Sequence, residues 1–168
     1  LGADEQADFV VRRRVAQVLA FIPGEAALDG LLAGLTATRF EVRYRAARAL
    51  AQRRKGGETL SPAAEDAVWN AIRKELSRGR AVWELARLLD PKEHDELAGG
   101  RAAERGELSL EHVFRLLSLV LDRDAIRAAW RGIAGDHGEL GSLALEYLEQ
   151  VLPDDVREKL WPFIGDLS

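Results

Sequence analysis

The chain has 168 residues, 47% of them hydrophobic, and a formal net charge of −4. It is long enough to bury one continuous core, and its lack of cysteine excludes disulfides and thiolate metal sites and fits a reducing compartment. No apolar run approaches the length of a membrane span and no secretory leader is visible, so we expect a cytoplasmic segment. Methionine is absent even at position 1, which leads us to expect that the segment was processed or excised from a longer protein.

The charge is distributed unevenly along the chain. Residues 1–60 carry ten Lys/Arg against seven Asp/Glu, a balance of +3, so residues 61–168 carry −7. From Asp136 onward, Arg157 and Lys159 face eight acidic residues. This asymmetry fits either differently charged partners for the two halves or ordinary solvated helix faces, and we favour the second interpretation.

Hydrophobic periodicity predicts an all-α chain of eight or nine helices without strands. Ser61 and Asp122 are predicted to cap the helices that follow them. Lys92 to Glu107, which contains three glycines, is predicted to be a loop or a partly helical linker. In chain order, the predicted helices cover 8–22, 26–35, 41–55, 61–89 (with a break near 77–79), 108–121, 124–134, 139–152 and 154–164.

An internal repeat is the strongest pattern in the chain. Residues 10–20 return 31 positions later as residues 41–51, and both segments place apolar residues on one helical stripe. In the first copy that stripe includes Val11, Val15 and Val18. A second offset, of 98 residues, relates the helix pair within 26–50 to the pair within 124–148. Two coincident offsets predict a recurring two-helix unit that buries its apolar stripe against a neighbour.

Arginines recur at equivalent positions of the first two copies. In a stack of repeats they would line one face and suit phosphates or acidic side chains. The alternative, which we favour, is a structural role in which they tie repeats together through carboxylates such as Glu41. The overall acidity argues against a nucleic-acid partner. The candidate partner-binding residues are Arg12, Arg13, Arg43, Arg45 and Arg48.

No constellation supports catalysis or a cofactor. His94, His112 and His137 are scattered and lack the spacing of metal ligands. Glycines fall at every third position from Gly132 to Gly141, but no strand precedes them and no Lys-Ser/Thr follows, so they are predicted to shape a tight turn between paired helices. We therefore predict a non-enzymatic protein without catalytic, cofactor-binding or metal-binding residues.

The pattern x-Val-Arg-x-x-Ala-Ala-x-Ala-Leu, preceded by a Leu-Leu-x-x-Leu helix, resembles HEAT repeats. The resemblance covers 8–55 and, more loosely, 124–152. It implies an α-α superhelix, a HEAT-like solenoid, that forms one helical domain over residues 1–168. Within this domain the resemblance implies N-terminal repeats at 8–57, a divergent middle at 61–107 and a C-terminal repeat unit at 108–165.

A more specific resemblance begins at Leu110-Glu111-His112-Val113-Phe114-Arg115 and continues through the following segments up to Leu152-Pro153. This region resembles the soluble HEAT-like module joined to bacterial ATP/ADP-carrier-like transporters of the major facilitator type, sometimes beside a cyclic-nucleotide-binding domain. This likeness implies a cytosolic appendage of a membrane protein. The transporter's membrane helices are not in this sequence, so no transport residue carries over.

The leading hypothesis is a protein-interaction or regulatory scaffold. Its partner would be another protein or the remainder of its own larger chain, which the resemblance places in the membrane. The alternative is a nucleic-acid-binding protein, similar to HEAT-like DNA glycosylases, that uses the arginine-rich N-terminal helices. A role resembling HEAT-like phycobilin lyases is a distant third hypothesis, because no site for it is identifiable.

Overall fold

The computed structural model describes residue 11 and residues 14–88, 96–135 and 138–164, with side chains described outside 82–88, 96–103 and 138. The regular structure of these residues is entirely α-helical, which confirms the predicted class. The first helix, α1, includes Val11 and residues 14–19. The next helices are α2 (Glu25–Gly34), α3 (Phe40–Lys55), α4 (Pro62–Leu88), α5 (Glu96–Val120), α6 (Arg123–Ala134), α7 (Gly138–Val151) and α8 (Asp154–Ile164).

The chain divides into two compact units, Leu1–Ala71 and Ile72–Ser168. In the first unit, α2 packs against α3 around Leu31, Leu35 and Leu50, which are buried. In the second, α6 packs against both α5 and α7, and α7 contacts α8. Within the described residues, none of the helices is both long and apolar enough to cross a membrane.

One predicted interruption, the break near residues 77–79, is wrong, and the predicted loop or partly helical linker at 92–107 is helical where it is described. The expected break near residues 77–79 is absent, since α4 continues through Gly79 and the Ser77 hydroxyl donates to the Arg73 carbonyl at 3.0 Å. The expected linker at 92–107 is helical from Glu96, so α5 begins twelve residues before Leu108. Single glycines cost a helix about 1 kcal/mol each, an amount that tertiary packing readily offsets. The predicted stop at Asp90-Pro91 lies outside the described residues.

Both predicted caps are confirmed. The Ser61 hydroxyl accepts a hydrogen bond from the Ala64 N–H at 3.2 Å, at the start of α4. The Asp122 carboxylate accepts from the Ala125 N–H at 2.7 Å, at the start of α6. Each side chain satisfies one of the N–H groups that a helix leaves without an intrahelical partner, and this fixes where the helix begins.

The two-helix unit recurs in the structure. Helices α6 and α7 begin at Arg123 and Gly138, each 98 residues after the start of α2 or α3. The matching glycines lie at the two close approaches: a Cβ at Gly34 would lie 2.9 Å from the Ala46 Cβ, and one at Gly132 would lie 2.8 Å from the Leu140 carbonyl oxygen. Glycine therefore permits a close helix approach in both pairs, against a side chain in the first and against backbone in the second.

Candidate protein-interaction site

Arg43 is buried in the turn between α2 and α3. Its Nη1 donates to the carbonyl oxygens of Ala37 and Thr38 at 2.9 and 2.8 Å, and its guanidinium lies over the Phe40 ring at 5.6 Å. The residue is only 5% exposed. These carbonyls follow the end of α2, where helix geometry leaves oxygens without partners. Arg43 thus locks the turn and presents little charge to a ligand.

Arg53 forms a larger clasp in the first unit. Its guanidinium donates to three carbonyls at or beyond the end of α1, those of Leu19, Ile22 and Gly24, and pairs with the Glu58 carboxylate through two nitrogens. The pair raises the pKa of Arg53 and lowers the pKa of Glu58, chiefly through the side-chain hydrogen bonds. One buried arginine therefore fastens the end of α1 to α3 and to the segment after it.

The other candidate arginines differ in exposure. Arg45 lies 3.4 Å from the Glu41 carboxylate, one helical turn away, and is partly exposed. Arg48 is exposed on α3. Arg12 and Arg13 lie outside the described residues. The described part of the chain thus places Arg43 among backbone carbonyls and Arg45 beside a carboxylate, and it leaves Arg48 facing solvent.

The apolar stripe of α1 is exposed, contrary to the expectation that each repeated helix buries its stripe. Val11, Val15 and Val18 lie on one side of α1, and Phe21 and Ile22 follow it; Val18 is 57% and Phe21 79% exposed. We call these five residues the outer stripe. The equivalent positions on α3, Ala46 and Ala49, are buried. The difference arises because α1 packs with another side, which carries the buried Ala16, and leaves the valines outward.

A second apolar surface lies between α6 and α7. It is a groove of about 440 Å³ with small side chains from α6 and larger ones from α7. Leu140 and Leu143 line it although they are 59% and 63% exposed. We call it the α6–α7 groove; its lining residues are Ala125, Ala128, Ala129, Leu140, Leu143, Ala144, Glu146, Tyr147 and Gln150.

Acidic side chains lie beside the α7 wall of this groove. Glu146 lines it, and Glu139, one turn before Leu143 on α7, is exposed. Burial raises the pKa of the Tyr147 hydroxyl, and the negative charge of Asp122 raises it further, so Asp122 acts on this wall electrostatically. The arginines of α6, at positions 123, 127 and 131, lie roughly 110–170° around the helix from the mean direction of the three groove alanines, and Arg131 lies about 60° from Ala128. The groove is therefore apolar inside, with carboxylates beside its α7 wall.

The equivalent face of the first unit contacts α1 at one point. Gly30 of α2 stands 98 positions before Ala128 of the groove, and a Cβ at Gly30 would lie 3.2 Å from the Leu19 Cδ1 of α1. Ala27, the equivalent of Ala125, is buried. Gly30 and Ala128 are nevertheless both exposed, so α1 meets the Gly30 side of α2 only through the Leu19 side chain.

One further polar cluster is buried in the second unit. His112 and Glu75 are at most 1% exposed, with the His112 Nε2 3.9 Å from the Glu75 Oε1, and Arg78 lies 3.6 Å from the same oxygen. Their burial denies a substrate access, so we assign them to the packing of α4 on α5. Within the described residues, no group of three or more His, Asp or Glu side chains is placed to hold a metal ion. His94 and His137 lie outside these residues.

In comparisons with known proteins, no family model, curated protein or solved structure matches the chain. The HEAT-like and transporter-module resemblances consequently stay predictions, and the functional argument depends on the surfaces described above.

Sequence reasoning missed the two most informative elements. Arg53 stands in the charged run Arg53-Arg54-Lys55 at the end of α3, yet it lies seven residues after Ala46 and so continues the buried stripe. A charge in that position is a recognisable signal of a buried partner. The groove has a weaker signal, the alanines at 125, 128 and 129, because small residues also occur where helices approach closely.

Proposed function

We propose that this protein is a non-catalytic protein-interaction module that binds an amphipathic helix with basic flanking residues in the α6–α7 groove. The observation that supports it best is the groove itself, an apolar cleft of about 440 Å³ whose Leu140 and Leu143 are 59% and 63% exposed. Clustered exposed apolar side chains of this kind mark interaction sites. Helix-in-groove binding is a common mode of peptide recognition.

The chemistry of the groove specifies the kind of helix. Its lining of alanine, leucine and tyrosine suits apolar side chains at positions i, i+3, i+4 and i+7. Glu146 and Glu139 at the rim favour lysine or arginine beside that stripe. The partner would belong to another protein or to the remainder of a longer chain, and stacked HEAT-like helices would provide the rigid support.

The observations do not favour nucleic acid as the partner. Arg43 is buried against carbonyls and Arg45 is paired with Glu41, so these two candidate arginines are poorly placed to contact phosphates. The groove that is open has an acidic rim, which would repel a phosphate backbone. A titration with double-stranded DNA at low salt is expected to show no binding.

The binding experiment uses a fluorescent helical peptide of about 18 residues with leucines on one stripe and lysines beside it. Anisotropy is measured against the wild-type protein and against two variants of exposed groove residues, Ala128→Phe, which fills the groove, and Leu143→Glu. We expect each variant to weaken binding at least about tenfold. Leu108→Glu is the matched control, because Leu108 is 43% exposed and lies outside the groove.

Two further arms make the result specific. A peptide with glutamate in place of lysine should bind at least about tenfold more weakly, and added salt should weaken the lysine peptide. Undiminished binding to both groove variants would contradict the proposed site. Preference for the glutamate peptide would contradict the proposed chemistry.

A further inference from the structure

We infer that the helix bound by the α6–α7 groove is α1 of a second copy of this chain, which gives a head-to-tail association. This inference rests on the proposed function, since it names the partner of the same groove. The contact would join the outer stripe of one molecule to the groove of another.

The distribution of exposed apolar side chains points to these two surfaces. Eight large hydrophobic residues are exposed within the described part of the chain. Five of them form the outer stripe, and Leu140 and Leu143 form the wall of the groove, so Leu108 alone lies elsewhere. Exposed apolar residues that cluster in this way mark interaction sites, whereas isolated ones need no explanation.

The two surfaces are complementary in shape. At 100° per residue, Val11, Val15 and Val18 lie within an arc of roughly 60°, so they form a narrow ridge along α1. The groove presents alanines as its floor and leucines as its wall, which leaves room for such a ridge. Valine side chains are stiff about χ1, so burying them costs little conformational entropy.

Charge selects this pairing over the alternatives. Residues 11–22 contain three arginines and no acidic residue, and Arg14 among them is exposed. The groove has Glu146 at its edge and Asp122 and Glu139 nearby. A stripe that meets a stripe would bring arginines together, and a groove that meets a groove would bring carboxylates together. Among the described side chains that border the two surfaces, the cross pairing places Arg14 of α1 beside Glu146 of the groove.

The geometry has a consequence for assembly. The two surfaces lie on different helices, so the contact is heterologous and leaves one stripe and one groove open at the ends of every open assembly. Such a contact continues into longer chains of molecules unless the rotation closes a ring. Because each surface contributes few side chains, we expect a weak association that appears in the micromolar range.

Sedimentation velocity over about 5 to 500 μM protein tests the inference. We expect the weight-average mass of the wild type to rise with concentration past that of a dimer. Val18→Glu and Leu143→Glu should each remain monomeric, because each loses one of the two surfaces. Leu108→Glu, which introduces the same charge elsewhere, should associate like the wild type. Circular dichroism melting verifies that these exposed substitutions leave the fold intact.

Mixing the two defective variants provides the decisive arm. Val18→Glu retains its groove and Leu143→Glu retains its stripe, so an equimolar mixture should form a one-to-one dimer and nothing larger. A mixture that stays monomeric, or wild-type protein that stays monomeric at every concentration, would overturn the inference. If the lysine peptide nevertheless binds the groove, the proposed function stands and only the identity of the partner fails; if it does not bind, both fail.

Discussion

Arg45 and Arg48 on α3 stand 98 positions before Leu143 and Glu146 on α7, so equivalent sites carry basic residues in one helix pair and an apolar and an acidic residue in the other. Both pairs begin at the same offset, and each has a glycine at its close approach. The first pair meets the end of α1 through Leu19 and Arg53, and the second pair presents an apolar groove with exposed leucines. One two-helix scaffold thus supports two different surfaces, and the difference lies in a few side chains.

The largest expected effect comes from removing the clasp that closes the first unit. Arg53→Ala removes the donor to the carbonyls at the end of α1 and the basic partner of the Glu58 carboxylate. The free energy of unfolding should therefore fall by about 3–5 kcal/mol. Chemical denaturation measures that loss. Hydrogen exchange should show amides 14–19 losing protection first, as α1 detaches from α3. Arg48→Ala, on the exposed side of the same helix, should change stability by less than about 0.5 kcal/mol; equal losses in both variants would refute the clasp.

The same clasp predicts a dependence on pH. Arg53 lowers the pKa of Glu58 in the folded state, so the unfolded chain binds more protons and stability rises with pH. The contribution is complete above the ordinary carboxyl range and is lost as pH falls through that range toward the depressed folded pKa. Hydrogen bonds to charged groups contribute about 1.5–3 kcal/mol, so Glu58→Gln should lose up to that amount at neutral pH. The difference in unfolding free energy between Glu58→Gln and the wild type should shrink below about pH 5. A difference that stays constant with pH would contradict the pairing of Glu58 with Arg53.

Two glycine substitutions compare a tight helix contact, at Gly132 between α6 and α7, with a loose one, at Gly30 where α2 meets the Leu19 side chain of α1. Gly132→Ala places a methyl group 2.8 Å from a backbone oxygen, which forces α6 and α7 apart and should cost about 1–3 kcal/mol. Gly30→Ala gives the first unit the residue found at 128, and its methyl meets only the end of the Leu19 side chain. Thermal unfolding should show a neutral or slightly stabilising change there, because alanine favours a helix by about 0.5–1 kcal/mol over glycine. If Gly132→Ala and Gly30→Ala destabilised the protein by similar amounts, the two contacts would not differ in this way.

A smaller effect separates the starts of α2 and α6. Gly24 gives α2 no side-chain cap, whereas Asp122 caps α6. Asp122→Ala should therefore cost about 1 kcal/mol, and Asp122→Asn should cost much less because asparagine also caps. Both variants should lower the pKa of Tyr147, since each removes a negative charge while the burial stays. Ultraviolet titration in a Tyr44→Phe background, which leaves Tyr147 as the sole tyrosine, measures this; an unchanged pKa would place Asp122 away from the groove wall.

Local signals in the sequence were sufficient for much of the fold. The polar residues at 61 and 122 mark helix starts because their side chains accept from the first free N–H groups, and the 98-residue offset locates both helix pairs. The continuity of α4 and α5 was missed, because single glycines read as breaks when the packing that offsets their cost is unknown.

The candidate site was less predictable. Periodicity shows that Val15 and Ala46 each belong to an apolar stripe, but whether a neighbour covers the stripe depends on how the helices pack. The exposure of the valines and the opening beside Leu143 could therefore be seen only in three dimensions. The role of Arg43 is similar, since its acceptors are backbone carbonyls, which every residue has and which no sequence pattern distinguishes.

The Arg53 clasp also bears on how fast the first unit comes apart. Its bonds to Leu19, Ile22 and Gly24 join residues 29 to 34 positions apart, whereas helices form from contacts within one or two turns. A contact of that range forms after its helices have met, so it stabilises the native state more than the transition state that precedes it. Such an interaction mainly lowers the unfolding rate and leaves the folding rate nearly unchanged. The arginine that closes the first unit would then also set how long α1 stays in place to present its valines.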